Sequence, residues 1–492
     1  MIKKSFFIGG DYNSNGLSWW LPIFFEYCKQ KKINRIIFEQ KNISKILLSN
    51  QYFVEKFNEF EIVYLEELLP WWTKNIILRI LVSPVQSIIF FILSFFNYHQ
   101  FSNQYLKKNI VAIMDGASRE SENSFIKINY FYVIKYCLLS GYYIWLGNFL
   151  HTKIHSCIMV HNVYRYRLVN LVLKKKKIPI FHISKFCIYR QSNRNIDFHS
   201  KVLDIKTFKK LKKLIVQKAY KKYWFKRISG NSAYNEANVA NFYGNKIKTN
   251  PTIDLNANFV FLHVFRDSPY QWFKSYKNHL FKDYIHWISE TIDILKFSDE
   301  KWFIKPHPSS TLYVDNMDKL NFEINKKIKN YKHIKLVNEK VPNIKIFQKC
   351  KKLVTFSGTA SVEYAAFGKK PIIVYPNVLT ETIKDGAFFP KTYNQYSDLL
   401  LKKIDNKLSL EKIREVQKYL YLFECIVTSE KDIAAKKIFT STSKAQINDD
   451  IRNILSTLSE NIEYYKMYGK MLASGKVKMG VAKPFLKKYL DL

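Results

Sequence analysis

Two short stretches carry residue types able to hold an anion. Trp302-Phe303-Ile304 runs into Lys305-Pro306-His307-Pro308, and further on Leu353-Val354-Thr355-Phe356 runs into Ser357-Gly358-Thr359-Ala360-Ser361-Val362-Glu363. Each apolar run reads as a buried parallel strand, and each ends in small, polar or cationic residues, where open α/β sheets place their ligands. A Lys and a His at a strand end stabilise a leaving phosphate by charge and hydrogen bonds, with no covalent role for either. The second stretch opens a helix expected from Ala360 to Phe367 and closed by Gly368. Ser357, Thr359 and Ser361 then offer hydroxyls and backbone N–H groups at the positive end of a helix dipole. Plainer readings stay open: His307 as a loop-fixing residue between prolines, and the serines as an ordinary cap. One hydroxyl suffices for a cap, whereas this loop supplies three beside Gly358.

Further polar groups follow other expected strands. Arg266 and Asp267 come after Phe259–Phe265, with Arg266 a phosphate partner and Asp267 a second carboxylate. Asp11 lies in Gly9-Gly10-Asp11-Tyr12-Asn13, a turn that could approach an acceptor but lacks the G-x-G-x-x-G spacing of a dinucleotide site. His161, Tyr164 and Arg165 sit where an anionic acceptor could bind, although Arg165 and Arg167 also suit a solvated helix face. There is no Asp-x-Asp motif, so the expected chemistry needs neither metal nor cofactor.

The elements that must position these residues alternate between apolar runs and helical stretches. The first half gives Phe6–Gly9, Arg35–Phe38, Glu61–Tyr64, Asn109–Met114, Cys157–His161 and Ile178–Ile183 as strands, with one clear βαβ crossover from Ser156 to His182. The second gives Phe259–Phe265, Trp302–Lys305, His333–Leu336, Lys352–Thr355 and Pro371–Tyr375. The fold class expected is α/β, with two Rossmann-like domains and additional helices. The domains are read as 1–196 with an apolar helical insertion near 68–106, a Lys-rich helical bridge over 197–250, a second α/β domain over 251–400, and a helical region over 401–492. Ile76 to Phe96 has the length of a bilayer crossing, but Arg79 and Pro84 favour two shorter helices lying on a membrane or packed over the sheet.

Lys and Arg number 79 against 40 Asp and Glu, a formal charge of +39, so partners should be anionic: nucleic acid, phospholipid head groups or phosphorylated sugars. No zinc-ligand spacing and no RNA-binding signature supports nucleic acid. Six scattered cysteines without a C-x-x-C pair argue against a disulfide scaffold or structural zinc and for a reducing compartment. The apolar run near Met1 is too short for a signal peptide, which points to the cytoplasm.

Lys305-Pro306-His307-Pro308 together with Ser357-Gly358-Thr359-Ala360-Ser361-Val362-Glu363-Tyr364 through Ile373 resembles the bacterial capsule and surface-polysaccharide biosynthesis family, which includes Kdo transferases and is similar to bacterial sialyl- and polysialyltransferases. The resemblance covers residues 259–400 and is weak elsewhere. It implies the GT-B architecture, two Rossmann-like domains facing a cleft. By position, His307 and Lys305 would bind the donor phosphate of a CMP-sugar. Ser357, Gly358, Thr359 and Ser361 would hold it at the helix start, and Glu363 would meet a ribose hydroxyl. Asp115, at the end of the expected strand Asn109–Met114 and before Gly116, resembles the acidic-acidic-glycine motif that supplies the base, but Met114 stands in the first acidic position. The implied activity is transfer of an acidic sugar, Kdo or sialic-like, from a CMP donor to an anionic or lipid-linked glycan at the inner membrane face. Transfer of a polyol phosphate from a CDP donor and non-enzymatic binding to membrane or nucleic acid are the alternatives.

Overall fold

The strand Ser5–Gly9 (β1) is buried at every position and pairs in parallel on both sides, the situation that favours an apolar run such as Phe6-Phe7-Ile8. In the computed structural model the residues described are 4–9, 14–41, 47–48, 51–96, 102–120, 130–159, 164–183, 188–190, 217–229, 253–263, 280–281, 284–307, 317–339, 341–427 and 462–475. They fall into two units. The first comprises Met1–Gly116, Ile134–Lys201 and Cys425–Leu492, the second Ala117–Val133 and Val202–Glu424.

The first unit holds β1, β2 (Arg35–Phe38), β3 (Glu61–Tyr64), β4 (Ile154–Met159), β5 (Ile180–Ile183) and β6 (Ile188–Arg190) in the order β3-β2-β1-β4-β5-β6. All neighbours are parallel except β5 and β6. The chain builds outward from β1, then returns to its other side, so the order reverses between β1 and β4. Alternation along β1 sends Phe6 and Ile8 to one face, against Phe24, Phe25 and Tyr27 of the helix Ser14–Gln30. Phe7 goes to the other, with Leu146, Leu150 and Val169. The helix Ile462–Ala473 returns to the first core through Leu472 and Ala473. Gly469 makes that approach possible, since a Cβ there would lie 2.6 Å from the Glu26 Cβ and 2.7 Å from the Ile23 carbonyl oxygen.

The second unit repeats the plan with β7 (Asn258–Phe261), β8 (Trp302–Lys305), β9 (Ile334–Leu336), β10 (Leu353–Thr355) and β11 (Ile372–Ile373), all parallel, in the order β11-β10-β7-β8-β9. Its order reverses between β7 and β10. Val260, Ile304 and Val354 pack on Trp287, Leu295 and Tyr396, whose hydroxyl accepts from the Trp287 indole at 2.9 Å. Phe259, Phe303 and Leu353 pack on Ile346, Phe347 and Tyr364. The chain is therefore α/β with two parallel-sheet, Rossmann-like units and additional helices.

Three expectations change. Asn109–Met114 is not a strand: it lies in the helix Gln104–Glu120, which starts where the Asn103 side chain accepts from the N–H groups of Tyr105 and Leu106 at 3.0 and 3.2 Å. A short, fully buried apolar run does not by itself distinguish helix from strand. The strand expected to reach Phe265 ends at Phe261, and the helix expected from Ala360 begins at Thr359. Ile76 to Phe96 forms two helices, Ile76–Ile80 and Pro84–Ser94. Among the described residues no helix is long and apolar enough to cross a membrane.

Pro84–Ser94 packs against the helix Tyr130–Lys153, where a Cβ on Gly141 would fall 2.6 Å from the Ser83 Cβ. Gly141→Val should therefore lower stability by roughly 1–3 kcal/mol in chemical denaturation. An unchanged midpoint would mean that the two helices do not meet there.

Candidate active site

The segments that follow β8 and β10 leave the same edge of the second sheet. Phe261 pairs with Lys305 on one side and Thr355 on the other, so β8, β7 and β10 end level. With about 4.8 Å between neighbouring strands, the exits of β8 and β10 are ~10 Å apart, separated by the exit of β7. That exit carries His263, which sequence reasoning left inside a strand. Its backbone N–H donates to the Tyr284 hydroxyl, and its Nε2 accepts the Ser357 N–H at 3.4 Å. A Cβ on Gly358 would sit 3.0 Å from that Nε2. Any larger residue at this position would push the imidazole back by a few tenths of an ångström.

The hydroxyls divide by role. Ser361 is fully buried; its Oγ donates to the Gly358 carbonyl at 2.6 Å and accepts from the Asn377 amide at 2.9 Å. Ser357 Oγ donates to the Pro376 carbonyl at 3.3 Å. These two serines shape the loop. Thr359, the first helical residue, is exposed, and Gly358 caps the helix with no side chain, so the mouth presents backbone N–H groups.

Lys305 and Glu363 turn inward, which corrects the roles expected of them. Lys305 is 1% exposed; its ammonium donates to the Glu339 carbonyl at 2.9 Å and lies 5.4 Å from the Phe261 ring centre. Burial pulls its pKa down to about 7, against a smaller opposing pull from Glu339. Glu363 accepts from Arg227 Nη2 at 2.6 Å and Nε at 3.0 Å, a buried pair linking this helix to Gln217–Ile228. His307 is half-buried just past β8. Arg266 and Asp267 lie outside the described residues.

In the first unit, Asp11 and His161 lie outside the described residues. Arg165 falls in the helix Tyr164–Lys175 and Asp115 in Gln104–Glu120, with side chains outside the described set. Asp115 thus stands within a helix and not at the end of a strand. A cavity of about 190 Å³ opens in this unit, bordered by Phe7, Glu39, Arg79, Tyr142, Met159 and Tyr166. Glu39 directly follows β2; its N–H donates to the Ile8 carbonyl at 3.0 Å and its carboxylate accepts from the Tyr166 hydroxyl at 3.2 Å. The Arg79 guanidinium lies 5.0 Å from the Tyr142 ring centre. Glu39 was legible by the strand-end rule that singled out Lys305, applied to Arg35–Phe38. Among the described residues no three His, Cys, Asp or Glu side chains gather as a metal site requires.

No protein-family model matches the chain. No curated protein sequence matches it. Among solved structures, the UDP-GlcNAc 2-epimerase of Methanocaldococcus jannaschii is similar at 14% identity and a TM-score of 0.28, over 86% of this chain and 99% of that one. HepE of Anabaena in complex with UDP and glucose is similar at 9% identity and a TM-score of 0.27, over 93% and 100%. A glycosyltransferase from Rickettsia africae is similar at 11% identity and a TM-score of 0.27, over 95% and 99%.

The inward-facing charges give two tests. Arg227→Ala strands the Glu363 carboxylate in the interior and should cost about 3–5 kcal/mol in chemical denaturation; a surface-like loss of under ~0.5 kcal/mol would contradict the burial. For Lys305 the folded pKa of about 7 lies below the ordinary 10.5, so the unfolded chain binds more protons between those values. Stability should then rise with pH through this window and be flat with respect to this group below it. Lys305→Met should remove that rise, and denaturation midpoints measured at neutral and alkaline pH in both proteins read it directly.

Proposed function

We propose that the chain is a glycosyltransferase whose second unit holds the nucleotide of an activated sugar at the C-terminal edge of its sheet. One observation carries this reading: the strand order β10-β7-β8 brings the His307 loop and the mouth of the Thr359–Ala366 helix to one edge, on either side of the reversal point. When the bond between sugar carbon and phosphate oxygen breaks, charge grows on the departing phosphate. First-turn N–H groups and a neighbouring imidazole answer that charge without covalent chemistry.

Resemblance in the Lys-Pro-His-Pro and Ser-Gly-Thr segments favours a CMP-linked acidic sugar, Kdo or sialic-like, as donor. The acceptor is then a surface glycan, lipid-linked or otherwise anionic, suited to a chain of charge +39. Attack by the acceptor hydroxyl needs a group to take its proton, normally a carboxylate. The resemblance supplies Asp115, and the cavity supplies Glu39.

Incubating the purified protein with CMP-, CDP-, UDP- and GDP-linked donors and following release of free nucleotide decides the reading. One donor should be consumed, with a glycosidic product; a phosphodiester product would instead reveal transfer of a polyol phosphate. His307→Ala should weaken binding of the released nucleotide about tenfold or more, and Gly358→Val should weaken it further by disturbing the turn. Asp115→Asn and Glu39→Gln identify the base, which should lose about a hundredfold or more in turnover. If no donor is consumed and neither His307→Ala nor Gly358→Val alters nucleotide affinity, the proposal is wrong.

A further inference from the structure

The helix Pro84–Ser94 is inverted relative to a helix facing water. Its buried positions are Ser87, Phe90 and Ser94, whereas Val85, Ile88, Ile89 and Ile92 are between 44% and 68% exposed. The serines are satisfied internally: Ser87 Oγ donates to the Ser83 and Leu138 carbonyls at 3.1 and 3.3 Å, and Ser94 Oγ to the Phe91 carbonyl at 2.6 Å. Small side chains on the inner face permit the close approach to Gly141 described above. Large aliphatic side chains are left outside, the reverse of the pattern for a helix at a water-facing surface.

Adjacent segments extend the same face. Trp71 is 78% exposed, and Ile76, Ile77, Leu81, Phe95 and Phe96 all remain more than half outside. Arg79 is the sole charged residue from 75 to 96, and its Nε donates to the Thr73 carbonyl while its guanidinium stacks on Tyr142. The cation is thereby drawn off the apolar face. So many exposed large apolar side chains within residues 71–96 mark a binding face.

Charge identifies the partner. No Asp or Glu occurs from 68 to 114, nor from 123 to 196, while Lys74, Lys108 and Lys135 are exposed. A second copy of the chain would bring like charge against like around the apolar centre. We infer that this face seats on a lipid bilayer carrying anionic head groups. The two helices lie in the head-group layer with their isoleucines toward the acyl chains, and the lysines meet lipid phosphates. The eleven residues of Pro84–Ser94 span ~16 Å against a hydrocarbon core of ~30 Å, so the segment rests in one leaflet. This inference does not depend on the nucleotide reading, and its test uses no donor.

Co-flotation of the full chain with vesicles of phosphatidylcholine, and of phosphatidylcholine mixed with phosphatidylglycerol, measures the interaction. Binding should be stronger to the mixed vesicles, and salt should reduce that preference. The triple change Ile88→Ser, Ile89→Ser and Ile92→Ser should cut partitioning at least about tenfold. Because these positions are exposed, its circular dichroism melt should match the parent. The inference fails if the parent ignores both vesicles, if phosphatidylcholine alone binds equally well, or if the triple variant floats like the parent. It also fails if the parent is a dimer in the ultracentrifuge that ignores vesicles and the variant is a monomer, which would assign the face to a second copy.

Discussion

Strands buried on both faces constrain everything else in this protein. Such strands leave little room for charged side chains along their length, so chemistry is displaced to their ends. In the second sheet that pressure is visible residue by residue: Phe259-Val260-Phe261, Trp302-Phe303-Ile304 and Leu353-Val354 are apolar, and polar groups begin where pairing stops. The exceptions stand at paired end positions: Asn258 and Thr355 are polar there, and Lys305 is the charged case. It is the last residue of its strand, and its ammonium reaches past the sheet edge to a carbonyl of the loop after β9. The order reversal at β7 and β10 then decides which edge residues are neighbours, bringing His263 against the turn at Ser357 and Gly358.

That turn is rigid because its own side chains hold it. Asn377 donates to Ser361, caps its own helix by accepting from the Leu379 N–H, and lies 3.5 Å from the Ser357 carbonyl oxygen. The polar contacts of this turn run to the segment after β11 and to His263, so groups of the protein itself hold the start of the helix. Pre-positioned donors aimed at developing charge avoid reorganisation during reaction. Ser357 and Ser361, which look like ligands in the sequence, spend their hydroxyls on the backbone of this turn and its neighbour.

The sequence was legible where one physical rule acted alone. Apolar runs bounded by glycine, proline or polar residues marked nearly all the strands of both sheets, and the helix break at Pro84 was visible in the same way. It failed where two rules compete. Asn109–Met114 satisfies the pattern of a buried strand and of a buried helix alike, and the Asn103 cap is a local sign of the helix. Glu363 is a carboxylate one turn into a helix by any local reading. Its partner Arg227 lies far away in sequence, where periodicity and spacing convey nothing. His263 was hidden differently, by an apolar run that continues past the last paired residue.

The excess of cations also has a structural consequence separate from binding. With 79 basic and 40 acidic residues, a buried lysine cannot count on a carboxylate. Lys305 takes the Glu339 carbonyl, Lys352 the carbonyls of Leu400 and Lys402 besides Glu300, and the half-buried Lys369 the Cys350 carbonyl. Backbone oxygens thus anchor lysine side chains that join neighbouring elements of the second unit. Net charge is accordingly a poor guide to which lysine meets an anion. Location decides, and the acid-free stretches 68–114 and 123–196 are where basic residues most outnumber acidic ones.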